Sequence, residues 1–211
     1  ELLAGGVMYD AAGSVLWTHD LADEVLRIYG GEHYDSVVLG DLAGEADDDP
    51  VAVLVGSSAG AYVVDALTGR TRAVHRIGHA QGSKVAKVRP DLPGREVLLF
   101  TRWGNMGILT LLSGRGERLW DIQPDYVGQG TCPVHWPPAE AQLIWANASG
   151  PVQGLYDGFG RRVKELPALR EAWGPRMRKD VASDVVRLGR DKTEYLALTF
   201  DGRVHLFGPA R

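Results

Sequence analysis

Two short glycine-containing segments carry side chains that suit sugar recognition and proton transfer. Gly78-His79-Ala80-Gln81 offers an imidazole and an amide among small residues, which let a ligand approach the chain closely. Arg102-Trp103-Gly104-Asn105 combines a cation, an aromatic ring and an amide. A neutral imidazole can act as a base, and a guanidinium can bind a carboxylate through two parallel hydrogen bonds. These residue types predict a binding site for an acidic sugar.

The chemistry of a uronate assigns a role to each of these residues. His79 is the candidate base or hydrogen-bonding partner of the substrate, and Arg102 and Asn105 are the candidate groups that hold and neutralise its carboxylate. Trp103 is expected to stack on a sugar ring and Gln81 to orient it. The candidate catalytic residues are His79, Arg102 and Asn105, and the candidate substrate-binding residues are Gln81, Trp103, His33 and Asn147.

Some of these residues also have a structural explanation, which the sequence leaves open. The alternative for His79 is a hydrogen bond to a neighbouring backbone, and the alternative for Trp103 is packing between sheets. His33, beside Glu32, also suits a solvated loop. The acidic run at residues 45–49 suits either a hard cation or a solvated loop.

The elements that position these residues follow a repeat. Apolar alternating stretches begin at residues 36, 84, 131 and 183, so successive starts are 48, 47 and 52 residues apart. A second and a third apolar stretch follow each of them. The predicted first strands are 36–42, 84–89, 131–136 and 183–188, the second 51–56, 96–101, 142–146 and 194–200, and the third 61–65, 107–112, 152–156 and 203–207.

Tight polar turns that end in glycine follow the third strands, where glycine supplies the positive φ that such hairpins need. The turns are Asp10–Gly13, Asp65–Gly69, Ser113–Gly116 and Asp157–Gly160. A period of 40–50 residues with four short strands is typical of a propeller blade. We therefore predict an all-β fold, a β-propeller fragment of four-stranded antiparallel blades with about four to five blades present.

The predicted chain is a single propeller region over residues 1–211 that continues beyond its N-terminus. A closed ring needs further blades, so we expect missing N-terminal sequence to complete it. The segment 167–178, with its proline and glycine, is predicted to be a loop. The predicted blades are residues 1–30 (partial), 36–78, 84–125, 131–167 and 183–211.

The topology of an up-and-down blade predicts which links meet. The link from strand 2 to strand 3 and the link to the next blade lie at one end of each sheet, and the hairpin turns lie at the other. The segments around His79, Trp103 and Asn147 therefore share one end. Loops on a rigid scaffold commonly carry binding chemistry, so this end is the predicted site.

Composition excludes several classes of function. The chain has 23 Lys and Arg against 27 Asp and Glu, which provides no basic field for nucleic acid or for an anionic membrane surface. Its apolar runs are too short for a membrane helix. One cysteine, Cys132, excludes an internal disulfide and leaves an extracellular or a cytoplasmic location open. The P-loop, dinucleotide-binding and H-E-x-x-H patterns are absent from the sequence.

Several segments resemble a known family. Asp41-Leu42 before the acidic run, the segment Arg89-Pro-Asp-Leu-Pro-Gly94 and Tyr156-Asp-Gly158 are similar to the repeats of integrin-like (FG-GAP-type) propellers and of family 11 rhamnogalacturonan lyases. The resemblance covers essentially the whole chain and is to the C-terminal part of such proteins.

The resemblance implies cleavage of a rhamnose- and uronate-containing polysaccharide of pectin by β-elimination. It also implies calcium, held partly by acidic loops at residues 41–50 and 91–96, although neither loop has the regular spacing of a calcium-binding loop. The alternatives are a non-catalytic propeller that binds glycan or protein, and a propeller glycosidase that acts on rhamnosides.

Overall fold

The computed structural model describes residues 2–21, 33–44, 50–102, 107–123, 131–146, 153–165, 182–190, 193–200 and 202–208. All regular secondary structure in these ranges is β-strand. The same ranges contain no helix with the length and apolar character that crossing a membrane requires. The strands are β1 (Leu2–Ala4), β2 (Val7–Tyr9), β3 (Val15–Thr18), β4 (Ser36–Gly40), β5 (Val51–Val55), β6 (Ala61–Asp65), β7 (Thr71–His75), β8 (Ala80–Ala86), β9 (Glu96–Thr101), β10 (Leu109–Leu112), β11 (Arg118–Ile122), β12 (Cys132–Val134), β13 (Leu143–Ala146), β14 (Gly154–Tyr156), β15 (Arg162–Lys164), β16 (Ala182–Leu188), β17 (Thr193–Phe200) and β18 (Arg203–Phe207).

These strands form five small antiparallel sheets, in each of which every strand pairs with its neighbour in sequence. The first sheet is β1–β3, the second β4–β7, the third β8–β11, the fourth β12–β15 and the fifth β16–β18. The predicted all-β fold of propeller-like blades is confirmed. The sequence predicts only the third and fourth strands of the first, partial blade, but this sheet has three strands because Leu2–Ala4 pairs with Val7–Tyr9 through a tight turn.

The hydrophobic core lies in layers between successive sheets. The central strands β5, β9, β10 and β13 are buried at every position, as continuous apolar runs covered on both faces should be. The outer strands β11 and β15 are more exposed. Each layer joins residues of two neighbouring sheets: Met8 with Leu54, Val53 with Leu99, Leu98 with Ile144, and Trp145 with Leu198.

The predicted hairpin turns are present and have a common chemistry. A side-chain oxygen at the first position accepts hydrogen bonds from backbone N–H groups further along the turn, as Asp157 does from Phe159 and Arg161. Asp10, Asp65 and Ser113 do the same in the other turns. The closing glycines Gly13, Gly69, Gly116 and Gly160 all have φ between 71° and 85°.

Side chains of the last strand in one sheet tie it to the hairpin turn of the next. The Nε1–H of Trp17 donates to the carbonyl oxygen of Ala66 at 2.9 Å, and that of Trp120 donates to Gly158 at 2.8 Å. His75 Nε2 makes the equivalent contact with the carbonyl of Gly116 at 2.8 Å. These directional bonds fix how neighbouring sheets are positioned against each other, which non-directional apolar packing alone does not specify.

A buried carboxylate holds the backbone at the hairpin end of the third sheet. Glu96 is fully buried at the start of β9, and its Oε2 accepts from Val88 N at 2.8 Å and from Arg89 N at 3.3 Å. Its Oε1 lies 3.9 Å from Lys87 Nζ. Burial raises the pKa of Glu96 above its ordinary value, although the two amides and Lys87 oppose the shift.

We expect Glu96→Leu to destabilise the protein, because it leaves two backbone N–H groups without their acceptor at a cost of about 1–3 kcal/mol each. Glu96→Gln keeps an acceptor oxygen and is expected to cost much less. Denaturation of both variants in urea at neutral pH measures the difference. Equal losses of stability would contradict the role given to the hydrogen bonds.

Candidate functional site

The candidate site lies at the end of the second and third sheets opposite their hairpin turns. His79 immediately precedes β8, and Ser57 follows β5 in the neighbouring sheet. Ala80 N donates to the carbonyl oxygen of Ser57 at 2.9 Å, which joins the two sheets at this point. Ser57 is fully buried and has a φ of 51°, which is unusual for a residue other than glycine.

Asp35 is the centre of the site. Its backbone N donates to Val55 O at 2.9 Å, which places it just before β4. Its Oδ1 accepts from Gln81 Nε2 at 2.6 Å. Its Oδ2 lies 3.4 Å from His33 Nε2 and 3.8 Å from His79 Nε2. This second oxygen is buried and has no hydrogen-bond partner within the described part of the chain.

The ring of His79 is held by two hydroxyl groups, one from the buried Ser57 and one from the exposed Ser58. Ser57 Oγ lies 3.2 Å from each ring nitrogen, and Ser58 Oγ lies 3.3 Å from Nδ1. The side chain is 20% exposed, so the ring is largely covered but still reachable. The tautomer decides which nitrogen donates in these contacts.

Burial is the main reason why the pKa of His79 is lowered from its ordinary value of 6.5. The carboxylate of Asp35 raises this pKa, whereas His33 and Arg102 lower it. Because the net shift is downward, the imidazole is uncharged at neutral pH. An uncharged imidazole can accept a proton, and the carboxylate of Asp35 would then stabilise the charge that forms.

The structure brings together the predicted site residues that it describes. His33, His79 and Gln81 surround Asp35, and Arg102 N donates to His79 O at 2.8 Å directly after β9. Their roles in substrate binding and catalysis stay predictions. Trp103, Asn105 and Asn147 lie outside the described residues, as do the segments 45–49 and 167–178.

One predicted placement is wrong. Gln81 was expected in the link between two blades, but β8 begins at Ala80, so Gln81 lies on the strand. Gly82 interrupts the alternation of apolar and polar residues that marks a strand. It packs against the ring of Phe100, where the pairing of β8 with β9 shifts its register. The side-chain N–H of Gln81 donates to Asp35 Oδ1, which gives this side chain a positioning contact within the protein.

The roles of Asp35, Ser57 and Ser58 were missed, although the repeat carried a signal for the first of them. Residues about one period apart face each other across the inner strands, as Asp35 and Gln81 do. Ser36 Oγ and Ser83 Oγ likewise lie 2.7 Å apart. The segment 56–60 spells G-x-S-x-G, but it joins β5 to β6 and so is not the strand-to-helix turn of that motif.

The described acidic loop does not have the carboxylates free for calcium. Both oxygens of Asp91 accept from Arg89, at 2.7 Å and 2.6 Å, and Glu96 binds backbone amides. In the described ranges, no group of three His, Cys, Asp or Glu residues is arranged to hold a metal ion. Calcium at the loop 41–50 stays a prediction, since residues 45–49 are outside those ranges.

Comparison with known proteins places the fold. The sequence matches no protein-family model and no curated protein. A rhamnogalacturonan lyase PL11 of Bacillus licheniformis aligns with 72% of this chain and 24% of its own, with 23% sequence identity and a TM-score of 0.51. BBS1N, solved in complex with ARL6DN, aligns with 92% of this chain and 54% of its own, with 14% identity and a TM-score of 0.52. This chain therefore spans about a quarter of the lyase and about half of BBS1N, and its relationship to both is one of fold.

Proposed function

We propose that this chain is part of a propeller that binds a rhamnose- and uronate-containing acidic polysaccharide and cleaves it by β-elimination. The observation that carries the proposal is the pairing of an uncharged, partly accessible His79 with the buried carboxylate of Asp35. The structural likeness to a rhamnogalacturonan lyase supports the choice of polysaccharide.

The reaction requires a base beside a carbon that is acidified by a neighbouring carboxyl group. His79 takes the proton from C5 of the uronate, the electrons of the C5–H bond form the C4=C5 double bond, and the C4–O bond to the next sugar breaks. The leaving oxygen acquires a proton from solvent or from a protein group. Arg102 follows β9 beside His79, and its cation suits the carboxylate that carries the developing charge.

Asp35 favours the proton transfer through electrostatics. Its Oδ2 is buried without a hydrogen-bond partner among the described residues, and a buried polar atom that lacks such a partner is unfavourable. When His79 becomes an imidazolium, this oxygen gains an opposite charge 3.8 Å away. The contact is therefore stronger after proton transfer than before it, which is the condition for lowering the barrier.

The test is a lyase assay with the full-length protein. Rhamnogalacturonan is expected to give the ultraviolet absorbance of an unsaturated uronate product. Rhamnogalacturonan whose carboxyl groups have been reduced to alcohols is the control, and it is expected to give none because its C5 proton is not acidified. A hydrolytic product without unsaturation, or no product and no binding, would overturn the proposal.

Binding without cleavage would instead support a second candidate, a propeller that only binds its partner. The alignment of 92% of this chain with BBS1N, which was solved in complex with ARL6DN, is the observation in its favour. Binding of the reduced and the native polysaccharide, measured side by side, distinguishes glycan recognition through the carboxylate from the absence of glycan recognition.

A further inference from the structure

A groove of about 270 Å³ runs along the outer strand of the third sheet, and none of the residues around Asp35 and His79 lines it. Strand β11 forms one wall, and the residues that follow β7 in the second sheet form the other. The links that precede β8 and β10 are at the end of the sheets where His79 lies, and the groove reaches that end. A polysaccharide bound at His79 could therefore extend outward into it.

The charged groups in the groove favour an anion. Arg76 and Arg118 line it together with Asp121. Both oxygens of Asp121 already accept from the protein, one from Thr110 Oγ1 at 2.6 Å and the other from Arg118 Nη1 at 2.8 Å. The three charged residues leave a formal charge of +1.

Arg76 is held in a defined position at the second wall. Its Nη1 donates to Ala59 O at 3.1 Å, and its guanidinium lies 6.0 Å from the centre of the Tyr62 ring. A guanidinium fixed by packing loses less side-chain entropy on binding a carboxylate than a mobile one does. The second wall therefore supplies a preorganised cation.

The remaining lining includes apolar groups that a small inorganic anion does not need. Ile77, Ile108 and Ile122 contribute to the groove, and Ile77 is buried. A sugar ring presents C–H groups on one face and a carboxylate at its edge, so it matches an apolar surface with cations beside it. An inorganic phosphate matches the cations alone.

We propose that this groove is a second subsite, which takes the carboxylate of another uronate residue of the polysaccharide. The proposal rests on the proposed function for the class of ligand, but the groove is formed by different residues from those around His79. It predicts that the protein recognises an extended acidic glycan rather than one isolated sugar.

The test is a titration of the full-length protein with D-galacturonate, D-galactose and inorganic phosphate, followed by ligand-detected NMR. All variants also carry His79→Ala, so that any remaining binding around residue 79 is the same in each of them. We expect Arg118→Gln to weaken galacturonate binding about tenfold, as loss of one charge-assisted hydrogen bond predicts. Galactose, which lacks the carboxylate, is expected to bind weakly in every variant.

Arg161→Gln is the matched control, because Arg161 also pairs with a nearby aspartate, Asp157, but lies at the hairpin end. It is expected to leave galacturonate binding unchanged. The groove proposal is wrong if Arg118→Gln binds galacturonate as tightly as its parent does. Phosphate binding that equals galacturonate binding would also overturn it, since the groove would then be a general anion site.

The two proposals fail in distinguishable ways. If the lyase assay gives no product but Arg118→Gln still loses galacturonate affinity, the proposed function fails and the groove stands. If product forms and Arg118→Gln has no effect on binding, the groove proposal fails alone. Thermal denaturation of each variant confirms that folding is unchanged, which is expected for the partly exposed Arg118.

Discussion

Replacing His79 by alanine in the full-length protein is expected to reduce kcat/KM for rhamnogalacturonan by about 10²–10⁴-fold, the usual contribution of a positioned general base. The imidazole of His79 is partly exposed, has a pKa that burial lowers, and lies 3.8 Å from the carboxylate of Asp35. The measurement is the initial rate of unsaturated product formation. His135→Ala, at an exposed position away from this site, is the control and should keep full activity.

The pH dependence of kcat/KM distinguishes a base at His79 from a residue that only supports the structure, because only a base makes the rate depend on its own protonation. A base works unprotonated, so the lowered pKa of His79 predicts that kcat/KM falls only when the pH drops below 6.5, the ordinary value for histidine. Asp35 raises this pKa, so Asp35→Asn is expected to move the acidic fall to a still lower pH while it slows the reaction. An acidic limit that does not move in Asp35→Asn would contradict the electrostatic link between the two residues.

The same shift has a consequence for stability. Because the folded protein holds the His79 proton less tightly than the unfolded chain does, the unfolded state binds more protons below the ordinary pKa. Stability contributed by the uncharged ring is therefore present above that pKa and is lost as the pH falls towards the lowered value. His79→Ala is expected to reduce this acid sensitivity.

Gly114→Ala, a substitution in a hairpin turn, is expected to cause a large loss of stability. Gly114 lies in the turn between β10 and β11, and a Cβ there would come within 2.0 Å of Leu42 O and 2.8 Å of Arg95 O. Both are backbone atoms, and Arg95 N donates to Leu42 O at 2.7 Å, so neither can move without breaking the contact between sheets. We expect a cost of about 1–3 kcal/mol or more, as for other overpacked sites.

Gly40→Ala is the matched control, because a Cβ at Gly40 would meet only Leu42 Cδ2, at the ordinary distance of 3.9 Å. It is expected to leave stability nearly unchanged or to raise it by about 0.4–1 kcal/mol through the unfolded state. Thermal denaturation of both variants measures the difference, at about 2–4 °C for each kcal/mol in a chain of this size. If Gly114→Ala and Gly40→Ala melted at similar temperatures, the close contact of Gly114 with the backbone of Leu42 would be wrong.

The strands and their turns could be predicted from sequence because their causes are local. Apolar runs of five or six residues predicted β5 and β9 to within one residue, and the turns followed from aspartate or serine before glycine. Where local chemistry was ambiguous, the prediction was wrong or incomplete. Gly82 concealed the start of β8, and the short strand β1 was not counted.

The candidate site could be predicted only in part. The shared end of the sheets brought His33, His79 and Gln81 into consideration as ligand-facing residues. The central place of Asp35 was not predicted, since it depends on the distance between two first strands that are neighbours only after the sheets pack. The hydrogen bond from Gln81 to Asp35 and the 3.8 Å contact between His79 and Asp35 cross that interface.

The sequence by itself therefore determined the repeat, the order of strands within each sheet and the end at which the polar links gather. The tertiary structure alone decided that Asp35 Oδ2 is buried near His79, that burial lowers the pKa of His79, and that a groove with two arginines lies between the sheets. The reason is physical. Strand pairing and turns depend on neighbours in the chain, whereas desolvation and charge depend on which surfaces exclude water when separate sheets come together.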